Sequence, residues 1–218
     1  MVTPQSPPAP QITDLIALSI RLVNANQPDR ARIVCEQALA MFEPHPAVHQ
    51  LLAVLDLQDG HVAAAREHAV RSLTLRPDHV PTLLAMGDIA LAQHDLRAAS
   101  QSFERAVALA PDQPEAWFKV ALVRQDLHDL PGAVAALERV LAVQPERVDA
   151  LVNYGIVLQE SGRLDDALRA YGRAFRLREQ AFGRIAHALA TPGVGRLYLD
   201  LEDLRAALAT AAEALPPA

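Results

Sequence analysis

The stretch VPTLLAMGDIALAQHDLRAASQSFERAVALAPDQ, residues 80–113, carries the pattern of two amphipathic helices separated by a short polar break. Apolar residues recur at helical spacing on both sides of the break, at Leu83, Met86 and Ala90 before it and at Leu96, Ala99, Phe103, Ala106 and Leu109 after it. The break is Gln93-His94-Asp95, and Pro111 ends the second helix because proline cannot continue a helix. The spacing therefore predicts a helix, a turn and a second helix.

This pattern returns every 34 residues along most of the chain. One column of the period is always alanine, at Ala31, Ala65, Ala99, Ala133 and Ala167. A column of small residues precedes it, at Ser19, Ala53, Gly87, Ala121 and Gly155, and a column of apolar residues follows it, at Met41, Leu75, Leu109, Val143 and Leu177. Several columns in one phase indicate an internal repeat with five units, at 12–45, 46–79, 80–113, 114–147 and 148–181.

The units resemble tetratricopeptide repeats (TPRs). The fourth unit carries Trp117, Ala133, Leu137 and Pro145 at family positions, and the fifth carries Tyr154, Gly155, Gly162, Ala167, Tyr171 and Ala174. The resemblance covers residues 12 to about 180 and implies an all-α fold, a right-handed α-solenoid (TPR superhelix) in which neighbouring hairpins bury each other's apolar stripes. The first unit departs from the pattern, because Glu43 replaces the terminal proline and Pro44 follows one place late.

The composition argues against several other classes of protein. A formal net charge of −6 disfavours a chain built to hold nucleic acid. The single cysteine, Cys35, excludes an intramolecular disulfide framework, and its repeat position predicts packing between helices. His94 and His128 share one repeat position and His45 and His79 share another, so these histidines are expected to spread along the repeats rather than converge, and neither a Gly-rich phosphate loop nor a catalytic triad is recognisable. We therefore expect no metal, no cofactor and no enzymatic activity.

The two ends lie outside the repeats. Residues 1–11 hold four prolines and no basic residue, which predicts a flexible leader rather than a signal peptide and favours a cytoplasmic protein. In the extension 182–218, the sequence TPGVG at 191–195 predicts a turn and Asp200 an N-cap. The leucines that follow, Leu201, Leu204, Leu208 and Leu215, predict an amphipathic helix. This helix either caps the last repeat or docks onto a partner or a second copy of the chain.

The resemblance also implies a binding surface, because the first helix of each TPR unit lines a concave groove that holds a peptide. The lining positions of this chain include Ile16, Ile20 and Val23, and then Gln50, Val54, Leu57, Leu84, Asp88, Leu91, Phe118, Leu122, Gln125, Val152, Ile156 and Gln159. This lining is apolar with acidic edges, which suits an amphipathic segment with some basic residues. A carboxylate clamp for chaperone tails needs cationic side chains at these positions, so we do not expect one.

The leading hypothesis is a non-enzymatic adaptor or scaffold that binds a protein segment in the groove. Two alternatives stay open: the substrate-recruiting part of a protein-modifying enzyme, and a homo-oligomeric, self-associating scaffold. The chain's own leader or last helix could also cover the apolar lining. The arginines between Arg163 and Arg196 are interpreted as a solvated helix face, so neither a nucleic acid nor a membrane is expected as a partner.

Overall fold

The structure, a computed structural model, describes residues 11–190 and 201–213, and within these ranges it is helical without a strand. The helices are α1 (Ile12–Asn24), α2 (Pro28–Met41), α3 (Pro46–Gln58), α4 (Val62–Leu75), α5 (Val80–Ala92), α6 (Leu96–Leu109), α7 (Pro114–Asp126), α8 (Leu130–Val143), α9 (Val148–Glu160), α10 (Leu164–Leu177), α11 (Phe182–Ala190) and α12 (Leu201–Glu213). A 3₁₀ turn, Glu179–Ala181, precedes α11. The predicted all-α class of helix-turn-helix repeats is confirmed. The predicted leader, the turn at 191–195, the N-cap Asp200 and Leu215 lie outside the described residues, except Gln11 of the leader.

One turn residue inside each of the first five helix pairs has a left-handed backbone. These residues stand 34 apart, at Asn26, Gly60, His94, His128 and Gly162, with φ between 56° and 79°. Glycine adopts this conformation freely and asparagine tolerates it, whereas a histidine there carries backbone strain. His94 and His128 therefore share a repeat position because each is the left-handed residue of its turn.

The alanine column lies at the contact between the two helices of each pair, and all five alanines are fully buried. Gly87 lies against the Phe103 ring and Gly155 against the Tyr171 ring, so closely that a methyl group on either glycine would overlap the ring. The small residues of this column therefore let the paired helices approach closely.

The apolar column at the end of each second helix does not belong to the core. Its members, Met41, Leu75, Leu109, Val143 and Leu177, are 43–59% exposed. Each is the last residue of its helix, so no following turn covers it. Leu109 thus shares the helical spacing of α6 but lies outside its buried stripe.

The chain divides into two compact units, unit 1 at residues 1–109 and unit 2 at residues 110–218. In unit 1, helices α1 to α6 pack as successive pairs. In unit 2, the pairs α7–α8 and α9–α10 are followed by α11, which contacts α9, and by α12, which packs against α10. Leu204 and Leu208 of α12 are buried in a cluster with Leu168 of α10. This packing favours the capping interpretation of α12, while the predicted repeat and extension boundaries stay predictions.

Candidate protein-binding surfaces

Six of the predicted lining residues form one face of unit 1, here called the α3–α5 face. Its members are Gln50, Val54 and Leu57 of α3 and Leu84, Asp88 and Leu91 of α5. Spacings of four and three residues put each triplet on one side of its helix, and α3 and α5 contact each other. All six side chains are half-buried. The face therefore carries four apolar side chains, the amide of Gln50 and the carboxylate of Asp88.

Helix α1 continues this arrangement at the start of unit 1. It contacts α3, and its three predicted lining residues are at least partly accessible. Ile16 and Val23 are half-buried, and Ile20 is 44% exposed. An exposed isoleucine beside a half-exposed apolar face enlarges the surface on which an apolar ligand could be anchored.

The equivalent face of unit 2, the α7–α9 face, is filled by the chain itself. Phe118 is only 8% exposed because the guanidinium of Arg147 lies over its ring, 4.3 Å from the centroid. Arg147 is held there by two carboxylates, since its Nε donates to Asp149 Oδ1 at 2.9 Å and its Nη2 donates to Glu115 Oε2 at 2.9 Å. Burial opposes the charge on Arg147, but the hydrogen bonds and the negative charges of Asp149 and Glu115 together raise the arginine's pKa.

A second polar pair closes the other end of the α7–α9 face. Gln125 Nε2 donates to Glu160 Oε1 at 2.9 Å, which joins the two helices across the face. Leu122 and Ile156 remain half-buried between these contacts. The structure thus brings these predicted residues together, but as parts of an internally bonded surface.

Helix α11 covers the remaining two predicted residues of this face. Val152 is fully buried in a cluster that includes Ile185 of α11, and Gln159 is 7% exposed. Gln159 Nε2 donates to the Ala188 carbonyl at 2.9 Å, and the Tyr171 hydroxyl donates to Gln159 Oε1 at 3.0 Å. Burial raises the pKa of that hydroxyl, so it remains a donor. Val152 and Gln159 are therefore not free to contact a ligand in this arrangement.

Unit 1 also contains a buried polar cluster between α2, α3 and α4. Arg32 donates to Asp56 Oδ1 at 2.7 Å and to Asp59 Oδ2 at 2.8 Å. His49 and His68 share a hydrogen bond between their Nδ1 atoms at 3.1 Å, and His68 Nε2 lies 3.8 Å from Asp56 Oδ2. Each group has a partner, which is what a buried polar network needs to be stable. This cluster is best explained as structural.

The residues with potential catalytic or metal-binding chemistry do not form a recognisable centre. Within residues 11–190 and 201–213, no three histidine, cysteine or acidic side chains are placed to hold a metal ion. Cys35 is buried between helices as predicted, its Sγ lies 3.4 Å from Ser19 Oγ, and burial raises its pKa. A raised pKa keeps the thiol protonated and makes it a poor nucleophile.

Sequence reasoning missed the two features that close the α7–α9 face. Arg147 directly precedes α9, and its neighbour Asp149 was the only local signal of an ion pair. The carbonyl of Ala188 left no signal at all, because every residue has one. Contacts made by backbone groups or by helices outside the repeat pattern cannot be read from repeat positions.

Two family models, both described as tetratricopeptide repeat, match residues 86–152 and 146–216. Together they span more than half of the chain, and they coincide with the helix pairs, left-handed turns and small-residue contacts described above. The chain belongs to the tetratricopeptide repeat family. The second match runs past residue 181, the predicted end of the repeats.

Solved structures share this fold at low sequence identity. TTC0263, a thermophilic TPR protein of Thermus thermophilus, is 21% identical with a TM-score of 0.68, over 83% of this chain and 100% of that one. YrrB, whose structure is described as a TPR protein with an unusual peptide-binding site, is 17% identical with a TM-score of 0.64, over 82% of this chain and 91% of that one. The Cut9–Hcn1 hetero-tetramer of the APC/C gives 16% identity and a TM-score of 0.75, over 82% of this chain and 36% of that one.

A curated relative gives a partial match. The probable biofilm formation methyltransferase WspC of Pseudomonas putida is 32% identical over 87 residues, which is 40% of this chain and 20% of that protein. The chain thus matches about a fifth of that relative's length.

Among the described residues, no helix is long and apolar enough to cross a bilayer. The TPR fold supports a role as a protein-interaction adaptor and is typically non-catalytic.

Proposed function

We propose that this chain is a non-enzymatic adaptor that binds an apolar or amphipathic protein segment on its α3–α5 face. The observation that supports this proposal is the half-exposed state of all six residues of that face. Their counterparts on the α7–α9 face are partly occupied by Arg147 and by α11. A surface that stays apolar and accessible while its equivalent is filled is the better candidate for a ligand.

The chemistry of the α3–α5 face specifies the kind of segment it would hold. Val54, Leu57, Leu84 and Leu91 would receive apolar side chains, and the amide of Gln50 would bond to a ligand backbone. The one charged side chain of the six, Asp88, is negative, so basic residues beside the apolar anchors would be favoured. Because paired helices hold these positions rigidly, the ligand alone would be ordered on binding, which lowers the entropic cost.

The experiment is affinity capture from an extract of the cells that produce the protein, with the tagged 218-residue chain as bait. We expect Leu57→Glu/Leu91→Glu to lose the captured partner, because two carboxylates would replace two of the four apolar side chains of the face. The matched control is Val143→Glu/Leu177→Glu, which adds the same charge at two exposed apolar positions of unit 2.

Circular dichroism of each variant reports whether its helices are intact. Capture that survives Leu57→Glu/Leu91→Glu, or is lost equally in the control, would contradict the proposed site. Capture of further copies of the chain alone would favour the self-associating scaffold instead.

A second candidate function is supported by the partial match to the P. putida methyltransferase. In this alternative the chain is the substrate-recruiting part of a protein-modifying enzyme, and its TPR surface holds the protein to be modified. The coding sequence that flanks these 218 residues is the discriminating observation. A continuous reading frame into a catalytic domain would support the recruiting role, whereas a stop codon on one side and no further domain on the other would favour the adaptor.

A further inference from the structure

Arg71 on α4 does not make the hydrogen bond that arginines at the same position of the third and fifth repeats make. Arg105, one period later, donates to the Pro77 carbonyl at 2.9 Å, and Arg173, three periods later, donates to the Pro145 carbonyl at 3.1 Å. Both acceptors lie 28 residues before the arginine, in the loop that precedes the first helix of the arginine's own repeat. These bonds tie the second helix of a repeat to the loop before its first helix.

The equivalent acceptor for Arg71 would be Glu43, where the first repeat departs from the family pattern. Proline occupies the next position instead, as Pro44, and Arg71 makes neither a hydrogen bond nor an ion pair within the described residues. In the fourth repeat, the equivalent acceptor is the Pro111 carbonyl. It accepts a hydrogen bond from Trp117 Nε1 at 2.7 Å instead of from an arginine. Within the described residues, the guanidinium of Arg71 therefore has no hydrogen-bonding or ion-pairing partner, although the Glu43 carbonyl stands at the equivalent position.

Two depressions flank Arg71 on this surface. One, of about 510 Å³, is lined by Ala63, Arg66, Glu67, Val70, Arg71 and Gln93, and the other, of about 440 Å³, is lined by Leu39, Pro44, His49, Arg71, Thr74 and Leu75. Val70 is 48% exposed and Leu75 is 47% exposed. We call the exposed part of α4 formed by Arg66, Val70, Arg71, Thr74 and Leu75 the α4 surface. It combines apolar side chains with cationic ones on a single helix.

The charge on the α4 surface is positive although the chain as a whole is negative. Arg66, like Arg71, has no ion pair within the part of the chain that the structure describes, and Glu67 is the only acidic side chain that lines either depression. Nearby Arg32 is already satisfied by Asp56 and Asp59. Two uncompensated guanidinium groups next to exposed apolar side chains complement an acidic and apolar ligand.

We propose that the α4 surface is a second docking site, which binds an acidic protein segment carrying an apolar side chain. Carboxylates of the segment would pair with Arg66 and Arg71, and its apolar side chain would contact Val70 or Leu75 in the flanking depressions. A peptide fits this surface better than a nucleic acid, because no Phe, Tyr or Trp side chain lines it on which a base could stack. The site goes beyond the proposed function, since it uses another surface and a ligand of opposite charge.

The test is selection of a phage-displayed library of short random peptides on the 218-residue chain, followed by titration of the enriched peptides against variants. We expect the enriched peptides to carry Asp or Glu around a large apolar residue. Arg66→Glu/Arg71→Glu should weaken them at least about tenfold, and Val70→Ala should weaken them severalfold. The charge-matched control Arg21→Glu/Arg97→Glu changes two exposed arginines of unit 1 and should leave binding unchanged.

The Leu57→Glu/Leu91→Glu variant separates this site from the α3–α5 face. This variant should bind the acidic peptides as tightly as the wild type does. The two proposed sites can therefore be tested independently of each other. Enrichment of peptides that are not acidic, or equal weakening by the two arginine variants, would overturn the proposal. Tighter binding of single-stranded DNA than of the selected peptides at the same arginines would overturn it as well.

Discussion

Unit 1 and unit 2 place the same repeat positions in different surroundings. On the α3–α5 face, Leu57 and Leu91 are half-buried. On the α7–α9 face, the equivalent positions hold Gln125, which bonds to Glu160, and Gln159, which bonds to α11. A repeat position therefore fixes which side of a helix a residue occupies, whereas the neighbouring chain decides whether that side remains accessible.

The difference extends into the helix pairs themselves. Phe103 in unit 1 and Tyr171 in unit 2 occupy the same repeat position, and each ring packs on a glycine of the paired helix. The Tyr171 hydroxyl is hydrogen-bonded to Gln159, which in turn holds α11. The hydroxyl that distinguishes tyrosine from phenylalanine thus connects the α9–α10 pair to α11, the helix that covers part of the α7–α9 face.

The largest loss of stability is expected for substitution of Gly155, because this glycine packs against Tyr171, whose hydroxyl bonds to Gln159. Gly155→Ala should lower the free energy of unfolding by about 3 kcal/mol, because the new methyl group displaces the Tyr171 ring and its hydrogen bond to Gln159 is lost. Gly87→Ala should cost about 2 kcal/mol, because Phe103 is displaced without losing a hydrogen bond. Urea unfolding of both variants measures the difference.

Gly183→Ala is the matched control for these substitutions, because nothing lies within 4 Å of the added methyl group. It should be neutral or slightly stabilising, since alanine is the better helix former. Equal losses for Gly87→Ala and Gly155→Ala would show that the Tyr171 hydroxyl does not distinguish the two units.

The next effect in size isolates the hydrogen bonds that hold α11. Gln159→Leu should cost about 2 kcal/mol, since it leaves the Tyr171 hydroxyl and the Ala188 carbonyl without partners in a buried site. Adding Tyr171→Phe should recover part of this loss, because the unpaired hydroxyl is then absent. Hydrogen exchange should accelerate in α11 but not in α1 to α6; faster exchange throughout the chain would argue against a local role.

Much of the fold was predictable because it depends on residues that recur. The alanine column and the small residues of the pairs specify the helix-turn-helix contacts, and their burial confirms them. The binding face was predictable only as a set of positions, since the cover over Val152 and Gln159 comes from α11, outside the repeat pattern. Arg71 shows a third case, because the bond that Arg105 and Arg173 make at the same repeat position is not made by Arg71, and the repeat position alone does not predict this.

A smaller effect, of mildly acid pH, should arise from histidines of unit 1. Burial lowers the pKa values of His49 and His68, with Arg71 acting in the same direction and Asp56 opposing it at His68. Since the unfolded chain binds these protons more readily, stability is complete above the ordinary histidine pKa of about 6.5 and falls as the pH drops through the lowered values. The melting temperature, measured above the ordinary histidine pKa and below the lowered values, should therefore decrease with pH. This decrease should be smaller in His49→Gln/His68→Gln. A decrease of the same size in that variant would assign the effect to other groups.

The smallest effect should be the same in both units and concerns the turns. His94 in unit 1 and His128 in unit 2 each have φ of 59°, a left-handed conformation that costs a residue with a Cβ roughly 1 kcal/mol and glycine almost nothing. Both side chains are exposed, so replacement removes no buried contact. Because glycine also gains entropy in the unfolded chain, His94→Gly and His128→Gly should each raise the free energy of unfolding by only about 0.5 kcal/mol. Gly60→Ala should lower it by about 1 kcal/mol at the same repeat position. Unequal gains for the two histidines in urea unfolding would mean that the units differ in their turns as well as in their faces.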